Sequence, residues 1–130
     1  MLIPQRKNDF ERAQAAINAG YPAVDPILPD LLVWMQDCNW PVAHTLTPFL
    51  ASIGSPLIPH IKRILETNDE IWKYWIIIHI MRKSREVAKA FRGELERLAY
   101  SSTESEFKEE LNEVAQITLQ QVRVPQSVGQ

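Results

Sequence analysis

Two stretches decide the fold: Asp25-Pro26-Ile27-Leu28-Pro29-Asp30-Leu31 and Ser55-Pro56-Leu57-Ile58-Pro59-His60-Ile61. They lie 30 residues apart and match in kind. Each has a polar residue suited to a helix N-cap, two prolines three positions apart, and aliphatic side chains at the third, fourth and seventh places. Proline belongs in a first helical turn, where its missing N–H costs little, so both stretches read as helix starts with Asp25 and Ser55 as caps. Each runs on into a second helical segment, Pro41 to Ile53 and then Asp69 to Arg82. Self-similarity at this period is the mark of a helical-pair repeat, because one pair cannot bury its apolar face alone. Matching Val42 to Ile71 instead slips the offset to 29.

Outward from these stretches the periodicity predicts seven helices and no strands, at about 9–19, 26–37, 41–53, 56–66, 69–82, 85–99 and 104–122. Asn8 or Asp9 opens the first, and Gly20 and Gly54 each close an apolar-periodic segment. Thr67 with Glu70, and Thr103 with Glu106, have capping-box spacing. A third, degenerate helical pair is placed at Arg85 to Val122, without the double proline. The expected organisation is a single domain over 1–122 with a frayed tail at 123–130. Helix 69–82 is apolar nearly all round, which predicts a place at the centre of the stack.

Several uncommon strings also carry a resemblance: Tyr21-Pro22-Ala23-Val24, Leu32-Val33-Trp34-Met35-Gln36-Asp37-Cys38-Asn39-Trp40-Pro41-Val42-Ala43, Pro59-His60-Ile61-Lys62 and Ile71-Trp72-Lys73-Tyr74-Trp75. The segment from Ala23 to Gly54 resembles a HEAT-type repeat. More closely, residues 2–122 resemble a bacterial family catalogued as domain of unknown function 5071. The resemblance implies a small all-α protein, an α-α superhelix of stacked pairs, and it implies no activity.

Composition narrows the function classes. The chain has 130 residues, is 45% hydrophobic and 23% charged, and so has the balance of a globular domain. Fourteen Lys and Arg stand against sixteen Asp and Glu, a net charge of −2, which speaks against sequence-blind nucleic-acid binding. Cys38 is the only cysteine, so no internal disulfide and no cysteine-rich zinc site can form. No apolar run reaches the roughly 20 residues of a membrane span. The start of the chain, Met1 to Lys7, lacks the form of a secretory signal, and the expected setting is cytoplasmic.

No catalytic constellation emerges. His44, His60 and His79 are never three or four positions apart, so no helix face offers a metal pair. His79, inside an isoleucine run, is expected to be a hydrogen-bonded core residue, and His60 to lie at the surface. Cys38 beside Asp37 reads as a packing cysteine with a raised pKa. No residue is assigned as catalytic or metal-binding, and no cofactor is expected. If second helices line a concave surface, Tyr74, Ile77 and Met81 share one face of helix 69–82, flanked by His44 and Lys73. That stripe is the candidate binding face, with Ile71, Trp75 and Ile78 turned inward. Burial of the stripe under residues 104–122 is the competing arrangement. The expected function is a non-catalytic module that binds another protein, as a monomer or weak dimer, with no nucleic acid or membrane. The alternatives are an immunity-type protein that neutralises a toxin, and a HEAT-like enzyme or ligand-binding protein.

Overall fold

The computed structural model describes residues 2–123, and within them the chain is all-α, with no strand. The expected tail lies outside the described residues apart from Arg123, which ends the last helix. In chain order the helices are α1 Phe10–Ala19, α2 Leu28–Leu32, α3 Pro41–Ile53, α4 Ile58–Leu65, α5 Glu70–Ile76, α6 Arg85–Ala90, α7 Arg92–Ser101, α8 Glu104–Lys108 and α9 Leu111–Arg123. Tighter 3-10 turns occupy Asp25–Ile27, Val33–Gln36 and Ser55–Leu57, and a π turn, Ile77–Met81, extends α5.

The two proline stretches fold alike, though not with the expected caps. Asp25 and Ser55 sit inside the 3-10 turns and make no side-chain cap. The second proline explains this. Pro29 has no N–H to give the Asp25 carbonyl, so Leu28 donates to it one residue earlier, and Ile58 does the same for Ser55 ahead of Pro59. Each α-helix then begins with proline in its first turn.

Burial settles the register. Ala43, Leu46, Thr47, Leu50 and Ala51 of α3 are buried, and so are Lys73, Ile76, Ile77, Ile80 and Met81, each 30 residues on. The offset of 29 fails, since Val42 is fully buried and Ile71 is 49% exposed. As expected, the helix formed by α5 and the π turn is central, packing on Val33–Gln36, α3, α4, α6 and α9. The Trp72 Nε1–H fastens it to the first unit by donating to the Leu32 carbonyl at 3.1 Å. One core runs from Ala13 to Val122, and each fully buried Leu or Ile in it contributes about 1.5–3 kcal/mol.

Other local expectations divide. Asp9 caps α1, accepting from the Arg12 N–H at 3.3 Å. Thr103 and Glu106 form the reciprocal capping box. Thr67 and Glu70 do not: Asp69 caps α5 by accepting from the Trp72 N–H at 3.0 Å, while the Thr67 hydroxyl donates to the Ile64 carbonyl at 2.7 Å. Gly20 and Gly54 close α1 and α3 at φ 71° and 78°, a backbone region that favours glycine.

The third unit is not one pair of helices. Helix 85–99 breaks at Phe91, whose side chain turns into the core, and helix 104–122 breaks at Glu109-Glu110. Glu110 is the one non-glycine described residue with positive φ, 65°. The breaks let α7 run along α9 while α6 reaches the π turn. Arg97 joins α7 to α8, with its guanidinium 2.7 Å from Glu106 and 2.9 Å from Glu94. That pairing holds Glu106 down at about 2. The opposite charge blocks therefore meet at this point.

Candidate functional site

The expected binding stripe is not an open surface. Ile77 is 0% and Met81 2% exposed, because α3 and α9 both pack against the π turn. Lys73 is buried as well, its Nζ 3.1 Å from Glu70. Only Tyr74, half-buried, and His44, exposed, remain at the surface. Of the residues expected to pack inward, Ile71 is exposed, while Trp75 and Ile78 are half-buried and pack at the edge of the core.

The open face that results lies between two clefts. One, of about 350 Å³, is lined by Ile71, Tyr74 and Trp75 with Lys108 at the end of α8 and Glu109 and Glu110 from the turn after it. The other, of about 420 Å³, is lined by Thr47, Pro48, Ala51 and Ser52 of α3 with His79 and Lys83. Trp75 and His79 connect them, four residues apart, their rings stacked with centroids 5.5 Å apart and planes 20° off parallel. Tyr74 meets Trp75 edge to face at 5.2 Å. The Trp75 indole nitrogen is buried without a hydrogen-bond partner.

Local structure shapes the second cleft. Pro48 sits inside α3 and cannot donate to the His44 carbonyl one turn earlier, so that carbonyl lacks its intrahelical partner. The π turn closes with the Arg82 N–H donating to the Ile77 carbonyl at 3.0 Å, after which Lys83 comes to line the cleft beside α3. His79 is not the hydrogen-bonded core residue expected from the sequence. It is half-buried and its ring contact is with Trp75. Burial holds its pKa below the usual 6.5, and His44, Lys83 and Arg82 push in the same direction.

Elsewhere, a smaller apolar pocket of about 150 Å³ separates the first helices of the two units, with His60 and Trp72 in its wall. His60 is half-buried rather than at the surface, and its Nδ1 is enclosed without a partner. Cys38 packs in the core, and burial, with Asp37 adding to it, pushes its thiol up to about 12, far from a reactive thiolate. Among the described residues no group of three His, Cys, Asp or Glu is placed to hold a metal ion. No helix among them is long and apolar enough to cross a membrane.

Sequence reasoning found His44 and Tyr74 but missed Ile71, Trp75, His79 and Lys83 as surface residues. A signal was available for the last two. Neither 38–65 nor 71–85 contains an Asp or Glu, so no carboxylate of α3 or of the central helix beyond Glu70 can neutralise them. No curated protein matches this chain. The model of the family described as domain of unknown function, DUF5071, matches residues 2–119, and the chain belongs to that family.

Proposed function

We propose that this protein is a HEAT-like helical-repeat module, non-catalytic, that binds another protein through the open face of its central helix. One observation carries the reading. The helix most enclosed by the fold leaves Ile71 49% exposed, beside half-buried Tyr74, Trp75 and Ile78, in a groove between two clefts. Tyr, Trp and aliphatic residues at the floor of a groove are the composition of an interface core, where desolvation of a few anchors supplies most of the affinity. In the cleft beside α3 the Ser52 hydroxyl donates to the Phe49 carbonyl and not to His79, which favours binding over turnover. We read the module as a monomer or weak dimer working in the cytoplasm, a setting in keeping with its single buried thiol.

The test is capture followed by reconstitution. Tagged protein and an Ile71→Glu variant, both shown to fold by circular dichroism, are exposed to lysate of the source organism. Any protein retained by the wild type alone is then purified and its affinity measured. The expected result is direct binding that Ile71→Glu weakens at least about tenfold, since a buried charge at an interface core costs more than 1.4 kcal/mol. A partner held equally by both proteins, or no partner at all, overturns the proposal.

A further inference from the structure

We infer that the groove takes a short segment of a partner protein that is acidic where it passes Arg82 and Lys83 and apolar where it reaches Ile71 and Tyr74. The inference deepens the interaction reading above and rests on it.

The net charge of −2 conceals a segregation. Residues 38–85 hold six basic side chains, Lys62, Arg63, Lys73, Arg82, Lys83 and Arg85, against three acids, Glu66, Asp69 and Glu70, and also all three histidines. The three acids cluster at the turn into α5, and Glu70 is already engaged by Lys73. Of the residues that line the cleft beside α3, Lys83 alone carries a formal charge and none is an acid, and Arg82 precedes Lys83 in the chain. Neither Arg82 nor Lys83 forms an ion pair among the described residues. Ser52 lines the same wall, and its hydroxyl already donates to the Phe49 carbonyl at 2.5 Å, leaving its lone pairs as acceptors.

The opposite end differs in sign. The cleft at Ile71 and Tyr74 is bounded by Glu109 and Glu110 with Lys108 between them and the body of α8. A segment lying in the groove thus meets cations at one end and carboxylates at the other, and this polarity orients it. From Ile71 to His79 the helix rises about 12 Å, which an extended chain covers in about four residues.

Selection from a displayed library of short random peptides tests this. The wild-type protein is compared with an Arg82→Glu, Lys83→Glu variant, and with His44→Glu should the double variant lose its helical circular dichroism. The expected result is enrichment of peptides with Asp or Glu about four residues from a large apolar residue. The best of them, synthesised, binds the reversed variant at least about tenfold more weakly, a difference of 1.4 kcal/mol. Peptides enriched without acids, or bound equally by the reversed protein, overturn this inference and leave the interaction reading standing. No enrichment over bare support overturns both.

Discussion

Units 25–53 and 55–81 bury the same five positions of their second helices, yet those helices differ in chemistry. Where the first has Ala43, the second has Lys73, and where the first has Phe49, the second has His79. The first unit's second helix carries no Lys, Arg, Asp or Glu, whereas the second's carries a buried ion pair, a stacked Trp–His pair and a π turn. The two helices keep aliphatic residues at matched buried positions, as Leu46 with Ile76 and Leu50 with Ile80 show. The polar departures gather in the unit that also leaves an apolar face open. Equivalent positions therefore form natural controls for one another.

The largest expected effect comes from position 73. Lys73 is 5% exposed and its partner Glu70 also accepts from the Ser105 hydroxyl at 2.7 Å, so this carboxylate ties α5 to α8. Removing it with Glu70→Ala leaves an ammonium enclosed without its counter-charge and is expected to cost about 3 kcal/mol in urea unfolding. Adding Lys73→Met, which makes the second unit apolar like the first, is expected to restore about 1 kcal/mol or more. If the double variant is no more stable than Glu70→Ala alone, the pair does not distinguish the units energetically.

Next comes the pair Gly54 and Ser84, also 30 apart. Gly54 has φ 78°, and a Cβ there would stand 2.8 Å from the Glu86 carboxylate that accepts the Ser55 N–H at 3.2 Å. Gly54→Ala is expected to cost about 2 kcal/mol from backbone strain and displacement of that carboxylate. Ser84 has φ −128° and no side-chain cap, so Ser84→Ala should cost about 0.5 kcal/mol or less. Equal losses in thermal unfolding would break the contrast.

These particulars show what was legible. Pro26 and Pro29 against Pro56 and Pro59 disclosed the repeat because each proline forbids a specific hydrogen bond, and Thr103 with Glu106 disclosed a cap because both bonds are local. The buried face of helix 70–81 was not legible. Ile71, Tyr74, Trp75, Ile77, Ile78 and Met81 surround it with apolar groups, so periodicity cannot choose, and the choice falls to α3 and α9, which are distant in sequence. The break at Phe91 was hidden for a related reason: it falls at a large side chain buried in the core, with no proline at the site.

The break at Glu110 offers a smaller test of the same rule. Positive φ is met by glycine at Gly20 and Gly54 but by glutamate at the mouth of the Ile71 cleft. Glu110→Gly is expected to raise stability by about 1 kcal/mol, the left-handed penalty less the entropy glycine gains when unfolded. A gain in stability accompanied by loss of peptide binding would mark that strain as part of the groove, whereas loss of stability would mean Glu110 makes a contribution other than its backbone.

The smallest effect belongs to His79, whose counterpart is Phe49. Its pKa is held below 6.5, so just below that value the unfolded chain binds more protons than the folded one. Stability attributable to this group is therefore full above pH 6.5 and declines as the pH falls through it. His79→Phe, which installs the first unit's residue, keeps an aromatic ring beside Trp75 and carries no proton to bind. The urea midpoint of the wild type is expected to fall further between pH 7.5 and 5.5 than that of the variant. Parallel declines would mean that the proton uptake lies elsewhere, and that the Trp75–His79 stack differs from the first unit's aromatic position in shape alone.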